Sequence, residues 1–130
     1  NYKNIYPKYI FIVPVTSPLR NVDDLNKTYE IFQKANSDYH FAITEANPFL
    51  VFYKKNKPEI FSVKKNFFRR QDAPKVFNIC TVGYLIKVDF LMNNNNLYKG
   101  KISTYEVPRD RSVDIDDIVD FKLAEILKKI

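Results

Sequence analysis

The hydrophobic positions near the start of the chain are continuous. Residues 9–13 form an unbroken apolar run that is rich in β-branched and aromatic side chains. Such a run predicts a strand buried on both faces, of the kind found in parallel sheets. Pro14 and Pro18 follow it and exclude regular strand pairing, so we predict a loop over residues 14–20.

After this loop the apolar spacing becomes helical. Asn21 is a suitable N-cap, and Asp23 and Asp24 suit the first turn because carboxylates are favoured at the positive end of a helix dipole. We therefore predict a helix from Asn21 to about residue 35. Its apolar face is expected to comprise Val22, Leu25, Tyr29 and Phe32.

The rest of the chain predicts several more short elements. Strands are expected over 40–44, 49–53, 60–63, 80–88 and 103–107, a helical turn over 89–93 and irregular structure over 64–76. A last helix is expected from about Asp117, with an apolar face of Val119, Leu123, Ile126, Leu127 and Ile130. Strands alternating with helices predict an α/β fold with a mixed sheet. At 130 residues, the chain is expected to be a single domain.

Composition narrows the classes of function. No apolar run has the length of a membrane span, and we expect a cytoplasmic protein with no membrane partner. The one cysteine, Cys80, and the one histidine, His40, exclude an internal disulfide framework and a Cys/His zinc site. Both are expected in the core. With only two glycines, these residues contain no glycine-rich loop to cradle a phosphate chain.

The formal net charge of +6 favours association with anions in general. Basic residues are dispersed except for one patch around Phe67 and Phe68, which contains Lys64, Lys65, Arg69 and Arg70. This patch is compatible with a solvated basic face. It is also compatible with a module that stacks and neutralises single-stranded nucleic acid.

Four aspartates crowd the segment RSVDIDDIVDF at residues 111–121. In an extended segment Asp114 and Asp116 point to the same side, while Val113 and Ile115 turn into the core. Two converging carboxylates suit Mg²⁺, which favours one or two carboxylates together with phosphate oxygens and water. Capping is the alternative, because aspartates at a helix start bind its free amides; it applies to Asp116, to its neighbour Asp117, and to Asp120.

Three segments in this order resemble the acylneuraminate cytidylyltransferases, which activate sialic and legionaminic-type nonulosonic acids as CMP-sugars. VTSPLR at 15–20 is similar to a loop of that family, and RRQDAPKVF at 69–77 is similar to its Arg-Gln-x-x-Pro segment. SVDID at 112–116, followed by Asp120, resembles its metal signature. The resemblance extends over nearly the whole chain, and the RRQDAP sequence most resembles that of bacterial members acting on legionaminic-type or related acids.

The resemblance implies a reaction in which CTP and a 2-keto-3-deoxy nine-carbon sugar acid give a CMP-sugar and pyrophosphate. It assigns Mg²⁺ to Asp114 and Asp116, and the carboxylate of the sugar acid to Arg70. Further substrate contacts are implied for Gln71, Ser17 and Tyr84, although a core role for Tyr84 stays open. Arg20 is expected to anchor its loop.

Two departures from the family pattern put the sugar specificity in question. Pro14 stands where many members carry a side chain that contacts substrate. CTVGY at 80–84 replaces a segment that supplies an asparagine contact in the family.

The implied fold is part of a Rossmann-like, GT-A-like nucleotidyltransferase with three layers, without the N-terminal nucleotide loop. Residues 9–13 would then be an interior strand with an exposed apolar edge, and the chain alone is expected not to turn over CTP. A dimerisation insertion is expected over 47–65, within a homodimer. The alternatives are a non-catalytic dimerisation remnant and the nucleic-acid module. The resemblance itself implies a protein that has no nucleic-acid partner.

Overall fold

The structure is a computed structural model that describes residues 6–61 and 69–130. The chain divides into two compact units, one formed by the segments before residue 45 and after residue 78, and the other by residues 45–78. The strands are β1 (Tyr9–Ile12), β2 (Tyr39–Glu45), β3 (Leu50–Lys54), β4 (Lys57–Phe61), β5 (Phe77–Lys87) and β6 (Ile102–Glu106). The helices are α1 (Val22–Ala35), α2 (Val88–Asn93) and α3 (Ile118–Leu127). Single 3₁₀ turns cover Arg70–Asp72, Leu97–Lys99 and Arg109–Arg111.

The principal sheet has the strand order β1-β5-β2-β6. β1 pairs antiparallel with β5, with Ile12 opposite Tyr84, whereas β2 pairs parallel with β6, with His40 opposite Ser103. The predicted α/β fold with a mixed sheet is therefore confirmed. The finer Rossmann-like, three-layer assignment stays a prediction.

The prediction for the first strand was wrong in one respect. β1 lies at the edge of the sheet, and its side chains alternate between half-buried and exposed, so it is not a parallel strand buried on both faces. An unbroken apolar run does not reveal which neighbours a strand has, and here β5 alone pairs with it among the described residues. Ile10 and Ile12 are exposed, which matches the expected apolar edge.

Helix α1 begins where the sequence predicts. The Asn21 side chain accepts from the Asp24 amide at 2.9 Å, and the Asp24 carboxylate accepts from the Asn21 amide at 3.0 Å. Its buried row differs from the predicted face, because Asp24, Thr28 and Phe32 are buried while Val22 is exposed. Asp24 is buried because it pairs with Arg111, and the spacing of apolar residues cannot predict such a polar contact.

The core is built mainly on the two central strands of this sheet, β2 and β5. Ala42, Cys80, Val82 and Val107 form one buried cluster, and Tyr39, Phe41 and Ile86 form another. His40 is fully buried as well, and its Nδ1 lies 2.8 Å from the Ser103 hydroxyl. The predicted core positions of Cys80 and His40 are thus confirmed.

Helix α3 starts after Asp117, as predicted, but its apolar face is not covered by the described residues. Val119, Leu123, Ile126 and Ile130 are exposed, and Ala124 is the buried residue of the helix. No helix in the described ranges combines the length and apolar character needed to cross a membrane.

The second unit contains the hairpin β3–β4. Lys55 and Asn56 turn the chain with φ of 48° and 62°, so β4 begins earlier than predicted. Every residue of β3 is exposed. The expected dimerisation insertion coincides with this hairpin where the structure describes it, and its dimerising role stays a prediction.

Candidate functional site

The loop after β1, residues 14–20, is fixed by hydrogen bonds of its own side chains. The Ser17 hydroxyl is buried and lies 2.5 Å from the Thr81 hydroxyl on β5. The Arg20 guanidinium donates to the Pro14 carbonyl, which supports the expected anchoring role of Arg20. Since the Ser17 hydroxyl already has a partner, a substrate contact there requires that partner to be exchanged, and its binding role stays a prediction.

The segment with the aspartates runs beside this loop. The Ile115 amide donates to the Thr16 carbonyl at 2.9 Å, and Val113 is buried as predicted. Ile115 is half-buried, and the segment does not pair as a strand. The backbone bond brings the Thr-Ser-Pro loop and the Asp-Ile-Asp segment together, although they are almost one hundred residues apart in sequence.

Two of the four aspartates cap α3. Asp117 Oδ1 accepts from the amides of Val119 at 2.7 Å and Asp120 at 3.1 Å. Asp120 Oδ2 accepts in turn from the amides of Asp116 at 3.1 Å and Asp117 at 3.3 Å. The capping interpretation is therefore confirmed for Asp117 and Asp120, and it does not apply to the side chains of Asp114 and Asp116.

Asp114 is half-buried, and its Oδ1 is buried without a hydrogen-bond partner among the described residues. A buried carboxylate oxygen without a partner is costly, so its environment calls for a cation or a donor. Asp116 is exposed. The two side chains have different surroundings, and their predicted common direction stays a prediction.

The charge of Asp114 reaches the middle of β5. Burial raises the pKa of the Tyr84 phenol, and the Asp114 carboxylate raises it further. Burial likewise raises the pKa of the Cys80 thiol to about 11, with smaller contributions from Asp24 and Asp114. Ser17 contacts the same strand through the Thr81 hydroxyl.

The structure also reveals a buried ion pair that the sequence does not predict. Asp24 is fully buried and accepts from Arg111 Nη2 at 2.9 Å and Nε at 3.0 Å. Tyr105 donates a third hydrogen bond at 3.2 Å. Burial alone would raise the pKa of Asp24, but the bonds from Arg111, Asn21 and Tyr105 lower it below its ordinary value.

Arg70 and Gln71 belong to the second unit. Both are exposed on the 3₁₀ turn Arg70–Asp72 and line a concavity of about 360 Å³ together with Glu45, Ala73 and Lys75. Within residues 6–61 and 69–130 the Arg70 guanidinium makes no hydrogen bond or ion pair, whereas Arg69 is paired with Asp72 at 2.7 Å. Arg70 is thus available to an anionic ligand.

The remaining basic patch lies outside the described residues. Lys64, Lys65, Phe67 and Phe68 all fall in the range 62–68. The nucleic-acid alternative that depends on them stays untested.

The acidic residues near Asp114 are few for a metal site built from protein ligands alone. The part of the chain that the structure describes contains no group of three or more His, Cys, Asp or Glu residues placed to hold a metal ion. A magnesium ion bound to a nucleotide needs fewer protein ligands, because phosphate oxygens and water complete its coordination. The partnerless Asp114 oxygen, with exposed Asp116 two residues later, fits such a site.

Comparison with known proteins places the chain in context. No protein-family model matches it. It is 31% identical over 119 residues to the pseudaminic acid cytidylyltransferase of Campylobacter jejuni serotype O:2, covering 88% of this chain and 51% of that protein. It is 27% identical over 117 residues to post-translational flagellin modification protein B of Campylobacter coli, covering 88% and 50%.

A third relative matches a shorter part of the chain. The CMP-N,N′-diacetyllegionaminic acid synthase of Campylobacter jejuni is 33% identical over 73 residues, covering 56% of this chain and 31% of that protein. The chain spans about half the length of the first two relatives. The resemblance found in the three motifs is therefore confirmed at the level of the family.

Proposed function

This chain belongs to the nonulosonic acid cytidylyltransferase family, and we propose that it forms part of an enzyme that transfers CMP from CTP to a nonulosonic acid with release of pyrophosphate. The observation that carries the proposal is the buried, partnerless Asp114 oxygen in a segment bonded to the Thr-Ser-Pro loop. The relatives are about twice as long as this chain, so the cytidylyltransferase activity is proposed for the whole enzyme.

In the proposed reaction the anomeric hydroxyl of the sugar acid attacks the α-phosphorus of CTP. A bond forms from the hydroxyl oxygen to that phosphorus while the bond to the bridging oxygen of the β-phosphate breaks, pyrophosphate leaves with that oxygen, and the hydroxyl proton passes to solvent. Asp114 and Asp116 would hold a divalent cation, which when bound neutralises phosphate charge. Because its oxygen is buried, Asp114 suits a cation ligand that is held in a fixed position. Asp116 is exposed and suits a ligand on the side of the cation that faces the substrate.

The sugar acid would be recognised by Arg70. Its guanidinium has no partner among the described residues and can bind a carboxylate through two parallel hydrogen bonds. Gln71 lines the same concavity and can contact a hydroxyl of the sugar. Glu45 there is 4.0 Å from the ammonium of Lys75, which reduces its repulsion of an anion.

Substitution of Asp114 tests the proposal in the polypeptide encoded by the complete reading frame. We expect Mg²⁺-dependent release of pyrophosphate from CTP when a nonulosonic acid is present, and none from residues 1–130 alone. Asp114→Asn should reduce the rate by about two orders of magnitude, the scale of losing one group that stabilises transition-state charge. Asp117→Asn is the matched control, since Asp117 caps α3. Unchanged Mg²⁺-dependent activity in Asp114→Asn would refute the metal role.

One observation favours a second role for the hairpin β3–β4, namely homodimerisation. Val51 lies opposite Ile60 in the hairpin register, and both are exposed, as are Phe52 and Tyr53. Exposed apolar side chains concentrated in one element are typical of a protein–protein contact. We therefore propose that this hairpin contacts a second copy of the chain.

A further inference from the structure

The buried pair of Asp24 and Arg111 has no part in the function proposed above. Asp24 binds both nitrogens of the Arg111 fork, the Tyr105 hydroxyl and the Asn21 amide. It therefore joins the first turn of α1 to β6 and to the 3₁₀ turn Arg109–Arg111. A single, fully buried carboxylate with four donors fixes these elements strongly.

Arg111 lies three residues before Asp114. After Arg111 the Ser112 hydroxyl donates to the Arg109 carbonyl at 2.9 Å, and Val113 is buried. The Ile115 amide then donates to the Thr16 carbonyl. The short segment that carries Asp114 is thus held on both sides, by a side-chain pair before it and by a backbone bond after it.

We propose that Asp24 and Arg111 are positioning residues that hold the segment 112–115 so that the buried Asp114 oxygen is presented to a divalent cation. The proposal rests on the proposed function for the identity of the ligand. Groups that hold a metal ligand in place without touching the metal orient that ligand, and losing one weakens metal binding by about 10- to 100-fold.

Two variants test positioning without changing the local net charge. Arg111→Lys keeps the cation but loses the two-nitrogen fork, and the double variant Asp24→Asn with Arg111→Met removes one charge of each sign. The double variant also avoids leaving a buried charge unpaired, so it retains a route to folding if the single variant does not fold. Lys87→Met is the matched control, because it removes the ion pair with Asp38 at 3.2 Å in the same unit.

The probe is Mn²⁺ together with CTP, titrated into the polypeptide encoded by the complete reading frame and followed by electron paramagnetic resonance, with folding checked by circular dichroism. Asp114→Asn defines the signal that depends on the site. We expect both Arg111 variants to bind Mn²⁺ at least about tenfold more weakly, and Lys87→Met to bind as the unmodified chain does. Hydrogen exchange of the Ile115 amide should accelerate in the Arg111 variants more than exchange of the α1 amides.

The outcomes separate the two proposals. The positioning role is overturned if folded Arg111 variants keep both the Mn²⁺ affinity and the protection of the Ile115 amide from exchange. In that case Mn²⁺ binding that depends on Asp114 still supports the metal role. If the unmodified chain and Asp114→Asn give the same Mn²⁺ signal, the metal role fails. The Ile115 exchange rate then decides positioning by itself: faster exchange supports it and unchanged exchange overturns it.

Discussion

Replacing Arg111 by methionine would leave a fully buried carboxylate without its cation. Removing one partner of a buried ion pair costs about 3–5 kcal/mol, because the other charge remains desolvated. Two features of the structure reduce this figure: the Arg111 side chain is 29% exposed, and the hydrogen bonds from Tyr105 and the Asn21 amide remain. We expect Arg111→Met to lower the free energy of unfolding by about 2–3 kcal/mol near pH 7, a large fraction of the stability of a small domain.

The pH dependence of this loss has a definite sign. In the unmodified chain the hydrogen bonds lower the pKa of Asp24 below 3.8, so the stabilisation is complete above that ordinary value and is lost as pH falls through the folded value. In Arg111→Met burial remains while the largest opposing group is gone, so the pKa of Asp24 should rise above its ordinary value. Protonation of Asp24 then removes the unpaired buried charge from the variant as pH falls. The difference in free energy of unfolding between the variant and the unmodified chain should therefore narrow.

Urea unfolding followed by circular dichroism measures both effects. The midpoint of Arg111→Met should lie well below that of the unmodified chain near pH 7, and the two midpoints should converge towards about pH 4. The double variant Asp24→Asn with Arg111→Met is the control, since its neutral amide should recover part of the loss. Equal midpoints near pH 7, or a gap that stays constant with pH, would show that the buried pair is not the source of stability.

Three further predictions concern other parts of the chain. Because burial lowers the pKa of His40 to about 4, NMR of this single histidine should show no titration between about pH 8 and pH 5.5. Stability should fall as pH drops from about 6.5 towards 4, where the unfolded chain takes up a proton that the folded chain refuses; a folded midpoint near 6.5 contradicts this. Since burial raises the pKa of Cys80 to about 11, a disulfide reagent at about pH 8 should label it only after unfolding, and rapid labelling of the folded chain contradicts it. If the hairpin dimerises, Val51→Lys with Ile60→Lys should halve the mass measured by light scattering while Glu59→Gln leaves it unchanged; a monomeric unmodified chain argues against the contact.

Local chemistry in this sequence predicts structure well. The caps of α1 and α3 involve groups only three residues apart, so Asn21 and Asp117 could be identified from the residue types alone. The antiparallel pairing of β1 with β5 could not be predicted, because an apolar run does not reveal which strand lies beside it. The burial of Asp24 also escaped prediction, since its partner Arg111 is 87 residues away and a first-turn aspartate is ordinarily exposed.

The aspartate cluster shows why a motif needs the structure to acquire a chemical meaning. Residue types alone leave helix capping and cation binding as alternatives for the aspartates of this segment. The structure assigns the amides at the start of α3 to Asp117 and Asp120, which leaves no capping role for the side chain of Asp114. Because its Oδ1 is buried, the lack of a partner among residues 6–61 and 69–130 is energetically significant in a way that the same lack at exposed Asp116 is not. Burial, rather than the presence of acidic residues, is therefore the argument for a cation at this segment, and it explains why a fixed Asp114 matters more to such a site than a larger number of carboxylates.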